Sequence, residues 1–261
     1  MNEMFDEPFR WMEAISTRHN YVQEKLKKGQ PVLAVPCDEG ALLLGFCPQP
    51  GKIFEIYDRI ALGALGHPAD VERLRMTLLD LAHVEGFNRS EQDVTISRLL
   101  QFGIAPALKQ NFEEVQRAPY LIQMLLVEID RQGTPLFFRL NYDGHWETFK
   151  KGVVIGGNDK MVKWMEKEIE KKPFATYPLE KALQETCELW EQGIKHAREK
   201  ENGEEDGKER EDEDNIPSTL KDAFEKWILE AAVLSNKTSR KSLYRPLTSE
   251  EVEKLKKKYV K

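Results

Sequence analysis

Four short apolar runs crowd between Pro31 and Leu65, with no stretch of helical periodicity among them. Pro31–Pro36 and Ala41–Phe46 flank the polar turn CDEG, a hairpin signal, and Ile53–Leu65 holds two more strand-like runs divided near Asp58. Strands this close in sequence must pair with one another, because a crossover helix between parallel neighbours needs a dozen or more residues. The rest of the chain repeats that grouping. Ahead of the strands, Phe9–Lys28 has helical spacing, with Trp11, Ile15, Val22 and Leu26 on one stripe. After them, Pro68–Glu85 reads as a helix with Pro68 in its first turn, Gly86 past its end, and Leu74, Leu78, Leu81 and Ala82 on its buried face. Ser90, with Asp93 three residues on, predicts a further helix to about Phe112.

Strands then return. Leu121–Ile129 and Leu136–Tyr142 flank DRQGTP, YDGHW turns into Glu147–Lys150, and Gly152–Ile155 is a short apolar strand closed by two glycines. Two helices follow, about Asn158–Lys171 and Pro178–Arg198. A late strand is expected at Trp227–Leu234, a short edge strand at Ser242–Arg245, and a closing helix at 248–259, capped by Thr248 or Ser249. Strands grouped with strands and helices with helices predict an α+β fold of four layers. Two stacked antiparallel sheets would carry helices on each outer face, in one domain over 1–261.

Composition narrows the function classes. The net charge of −6 is concentrated in Glu201–Asp214, where nine acidic residues face two basic ones. The body is near neutral, with no basic face to suggest nucleic acid. The 201–214 run has too little apolar content to order itself and reads as a flexible linker. No apolar run approaches the roughly 20 residues of a membrane span. MNEMFDEPFRW lacks the pattern of a signal peptide, so a cytoplasmic location is expected. Cys37, Cys47 and Cys187 show no metal spacing and read as small packed residues, although Cys37 and Cys47 could meet across adjacent strands. The five histidines are scattered, there is no G-x-S-x-G elbow, and GNDK after VVIGG lacks the Walker pattern and reads as a turn capped by Asn158. No metal or cofactor is expected.

The ordered blocks are more specific than any single motif. RHNYVQEKLKKGQPVLAV, KIFEIYDRIALGALG, ADVERLR, DVT, PYLIQMLLVEI, LNYDG, VVIGG and WILEAAVL follow one another over nearly the whole chain. Together they resemble a proteasome α subunit, most closely the bacterial kind. The resemblance implies the N-terminal-nucleophile hydrolase sandwich. Catalytic members of that family use an exposed N-terminal threonine whose hydroxyl attacks the peptide carbonyl, beside a lysine and an aspartate. Here the nucleophile position after Gly29 is Gln30, preceded by a predicted helix of about twenty residues, and the aspartate position falls near Phe46 or Cys47. Lys52 alone matches.

The resemblance therefore implies a noncatalytic subunit. Seven copies would form a ring that stacks on a ring of β subunits, gates the degradation chamber, and receives the C-terminal tails of activator ATPases. Lys52, Gly29 and Gly66 would form the tail pocket, with the ammonium meeting the terminal carboxylate. The alternative reading makes Lys52 only the solvated start of a strand. Residues 1–8 would form the gate, and the helix at 9–28 would help neighbours associate. Two other readings stay open: a self-assembling hydrolase with a cryptic nucleophile, for which Thr17 is the upstream hydroxyl, and a standalone ring scaffold without a protease partner.

Overall fold

A computed structural model of the chain describes residues 7–49, 51–204 and 217–260. The proposed gate segment 1–8 lies outside them except for Glu7 and Pro8, whose backbone already belongs to the first helix, and residues 205–214 of the acidic run also lie outside. Ten strands form among the described residues: β1 (Val32–Cys37), β2 (Gly40–Cys47), β3 (Ile53–Tyr57), β4 (Ile60–Gly66), β5 (Ile122–Ile129), β6 (Pro135–Asn141), β7 (Trp146–Phe149), β8 (Val153–Ile155), β9 (Ile228–Ser235) and β10 (Tyr244–Pro246). The helices are α1 (Glu7–Leu26), α2 (Pro68–Asn88), α3 (Ile96–Leu99), α4 (Ala105–Glu113), α5 (Asp159–Lys171), α6 (Leu179–Glu204), α7 (Leu220–Lys226) and α8 (Ser249–Tyr259).

The strands make two antiparallel five-stranded sheets, in the orders β10-β9-β2-β1-β8 and β3-β4-β5-β6-β7. Side-chain alternation builds the layers. Along β1, Leu33, Val35 and Cys37 pack under α5–α8, whereas Val32 and Ala34 face the other sheet. Along β5, Met124 and Leu126 pack under the helices of the opposite face, whereas Leu125, Val127 and Ile129 face inward. β1 and β2 are buried on both faces, which is why they read as unbroken apolar runs. The expected four-layer sandwich is the observed one.

The helices depart from expectation in places that have local causes. Trp11 is 48% exposed, so the α1 stripe is buried only toward its C-terminal half, at Val22 and Leu26. That half is tied down by Arg18, whose guanidinium donates to the carbonyls of Phe112 (3.0 Å) and Asn111 (3.1 Å) at the end of α4. Arg18 thus satisfies carbonyls that a helix end leaves without partners. Gly86 lies inside α2, which runs on to Asn88, and Leu81 is only partly buried.

The single helix expected from Ser90 to Phe112 is divided. Ser90 caps one tight turn at Glu91–Asp93, Thr95 caps α3, and a wide turn at Leu100–Ile104 leads into α4. Pro106 explains the wide turn: it has no N–H, and in a straight helix its ring would meet the carbonyl of Phe102. α7 was not anticipated. It ends at Trp227, so the late strand begins one residue later than expected, and it brings Phe224 within 5.2 Å of Phe46. Asn158 and Thr248 cap α5 and α8 as expected. Cys37 and Cys47 sit at opposite ends of the β1–β2 hairpin, and all three cysteines are free and buried. α6 extends to Glu204, so the acidic run begins as helix.

Candidate functional site

The site forms where the head of β3 meets the segment leading into β1. Alternation along β9 sends Leu229, Ala231 and Val233 to the helices, and so turns Glu230 toward the space between the sheets. There its carboxylate accepts three consecutive backbone N–H groups, from Gly51 (2.5 Å), Lys52 (2.8 Å) and Ile53 (3.0 Å). On the other side, the Lys52 carbonyl accepts from Ala64 N–H at 2.8 Å, which seats the residue against β4. The Lys52 side chain is part-buried, and its Nζ donates to the backbone carbonyl of Gln30 at 3.4 Å.

Gln30 and Lys52, which the resemblance would set at the nucleophile and lysine positions, are therefore neighbours, but Gln30 offers the lysine a peptide carbonyl and no hydroxyl. The Gln30 side chain is buried, its Nε2 donates to the Lys28 carbonyl at 3.1 Å, and its Oε1 has no partner among the described residues. Thr17 lies within α1, exposed. Phe46 turns into the helix-side core against Trp190 (4.7 Å). Cys47 is buried, its Sγ is 3.7 Å from the Ile228 carbonyl, and its thiol is pushed up to about 11, chiefly by burial and then by the Glu230 charge. Burial lowers the pKa of Lys52 below the ordinary lysine value, while the nearby Cys47 and Glu230 act in the opposite direction.

The structure brings Gly29 and Gly66 to the same place, linked by Leu65. A Cβ on Gly29 would sit 2.4 Å from a Leu65 methyl carbon, and Gly66, at φ +139°, would drive a Cβ to 2.0 Å from the Leu121 carbonyl oxygen. The packing of the chain against itself thus already requires glycine at both positions. Gly66 nevertheless keeps an exposed backbone, and Gly29 a partly exposed one.

Glu230 is the member that sequence reasoning missed. Its signal was present: it is the one acidic residue in the otherwise apolar run ILEAAVL. Nothing local, however, pairs it with a turn 178 residues earlier.

The chain has counterparts among known proteins. The proteasome subunit family model matches residues 26–207, more than half of the chain. A proteasome subunit alpha of Arthrobacter sp. (strain FB24) is 30% identical over 158 residues, 59% of this chain and 66% of that protein. Those of Pseudarthrobacter chlorophenolicus and Nocardioides sp. are each 30% identical over 148 residues, 56% of this chain and 62% and 58% of theirs. The chain thus spans about 58–66% of the length of these curated relatives. With the four-layer sandwich, these matches lead to one conclusion: the chain belongs to the proteasome subunit family.

Proposed function

We propose that the chain is a noncatalytic, α-type subunit of a proteasome core particle. One observation carries the reading: the lysine that would assist a threonine nucleophile instead faces the backbone carbonyl of Gln30, inside a continuous chain that arrives from α1. A site with neither a hydroxyl nucleophile nor a free α-amino group at that position has no route to the acyl intermediate. The relatives' names, all proteasome subunit alpha, support the same assignment.

In this reading seven copies form a ring that stacks on a ring of β subunits, in the cytoplasm. The half-docked α1 contributes its exposed Trp11 and Met12 to contacts with neighbours, and the residues before Phe9 gate the chamber. Lys52, flanked by Gly29 and Gly66, receives the C-terminal carboxylate of an activator ATPase.

The test is native mass measurement of the chain alone and with a β partner, coupled to peptide hydrolysis. The chain alone is expected to hydrolyse nothing and to take up no threonine-directed covalent inhibitor. Turnover by the chain alone that disappears in Thr17→Ala would sink the reading in favour of a cryptic nucleophile. Failure to associate with any β partner would favour a standalone scaffold. In the assembled complex, removal of the residues before Phe9 should raise the hydrolysis of short peptides without activator.

A further inference from the structure

We propose that Glu230 is the positioning residue of this site: its carboxylate fixes the head of β3 so that the Lys52 ammonium is presented at the Gln30 carbonyl, ready for an incoming carboxylate. The inference rests on the docking reading of Lys52 given above. Its own basis is the clamp. Three successive N–H groups, at 2.5, 2.8 and 3.0 Å, converge on one carboxylate that comes from the other sheet. Gly51 (φ +120°) supplies the backbone turn that aims the first of them.

The arrangement solves a conflict. A carboxylate beside a part-buried lysine would ordinarily close an ion pair and leave nothing for a ligand. Here the N–H groups occupy both Glu230 oxygens, and the lysine's hydrogen bond goes to a neutral carbonyl. A neutral partner is readily exchanged for a charged one, because a carboxylate adds to the hydrogen bond a Coulombic attraction that a carbonyl lacks. Glu230 thus acts through Lys52 and touches no ligand itself.

The test uses assembled rings carrying Glu230→Gln, Glu230→Asp or Lys52→Ala, with assembly checked by native mass. The first readout is the rate at which an amine-acylating reagent labels Lys52, mapped by peptide mass spectrometry against the other lysines. The second is the affinity of a short dye-labelled peptide with a free C-terminal carboxylate, measured against its C-terminal amide as a function of pH.

Glu230→Gln can accept at only one of its two positions, so Lys52 labelling should rise severalfold while other lysines keep their rates. Carboxylate-peptide affinity should fall on the order of tenfold. Its alkaline limb should also move to lower pH, because the ammonium loses a neighbouring negative charge while Cys47 stays in place; a purely structural defect would not move that limb. Glu230→Asp keeps the charge with a shorter reach and should restore the limb, with affinity between the two. Unchanged Lys52 labelling in intact Glu230→Gln rings would overturn the positioning role. Equal binding of peptide and amide to wild-type rings, unaffected by Lys52→Ala, would overturn the docking reading even if the labelling still reported the Glu230–Lys52 link.

Discussion

Two cations of the β3–β7 sheet, Lys52 ahead of its edge strand and Arg139 within β6, meet opposite fates. Arg139, on β6, is enclosed by partners. Its Nε and one terminal nitrogen donate to Glu147 at 3.0 and 2.7 Å, its other terminal nitrogen donates to Glu166 at 2.9 Å and to the Val154 carbonyl at 3.3 Å, and the guanidinium lies 4.8 Å from the Phe149 ring centroid. It joins β6, β7, β8 and α5, and spends four of its five N–H groups on them. Lys52 is similarly half-withdrawn from water, yet it holds one long bond to a neutral carbonyl and no ion pair among the described residues. The difference lies in where the nearby carboxylates are spent. Around Arg139 they face the cation, whereas at Lys52 the nearest one is taken up by backbone. A saturated cation stabilises a fold, and an unsaturated one at a rim is suited to binding.

Exchanging the roles of the two residues should break this comparison if it is wrong. The largest effect is expected from Arg139→Ala, which strands Glu166, only 18% exposed, without its cation. Chemical denaturation should register a loss of about 2–3 kcal/mol, below the roughly 3–5 kcal/mol of a fully buried broken pair because Glu147 is half in water. The loss should depend on pH. Burial already raises the Glu166 pKa, and Arg139 opposes that rise. Without the arginine, the folded-state pKa climbs further above the unfolded one, so the folded state binds the extra proton and the deficit shrinks as pH falls below that raised value. Tail binding should be untouched.

Lys52→Ala should do the reverse. Its melting temperature should not drop, since the residue's burial disfavours its charge, but tail affinity should weaken by about 2 kcal/mol per tail, roughly thirtyfold. A thermal melt and a peptide titration on the same preparation decide it. Equal affinities in intact rings would return Lys52 to the solvated head of a strand.

A smaller effect concerns pH. Because the Lys52 pKa lies below the ordinary lysine value, tail affinity should decline as pH rises through that lowered value, sooner than surface lysines titrate. Lys52→Ala should lack that limb. The smallest effect belongs to the acidic run: deleting 205–214 should change stability by no more than about 0.5 kcal/mol and leave assembly intact, because like charges at this density bury little. Loss of ring formation by a folded deletion variant would assign the run a structural role.

Much of the sandwich was legible in advance, and the misses are instructive. Short apolar runs, glycine-bearing turns and the caps Asn158 and Thr248 are signals a few residues long, and each reappears in the structure. The wide turn before Pro106 and the seven-residue α7 were missed because Pro106 sits within a strong helical pattern and α7 is too short to show a period. Trp11 fitted the α1 stripe, yet nothing among the described residues covers it, since periodicity tells which residues share a face and not whether that face has a neighbour.

At the candidate site the division is sharper. The sequence by itself determined that Gln30, where the resemblance would place a nucleophile, carries no hydroxyl, that a lysine heads β3, and that strands would stack on strands, because each of these depends on residue identity or local pattern. Only the tertiary structure decided that the Lys52 ammonium would reach the Gln30 carbonyl and that Glu230 would hold the β3 head from the opposite sheet. Those contacts span 22 and 177 residues. They exist because the antiparallel pairing of β9 with β2 and the stacking of two sheets bring distant backbone into register, a geometry that no short stretch of chain encodes.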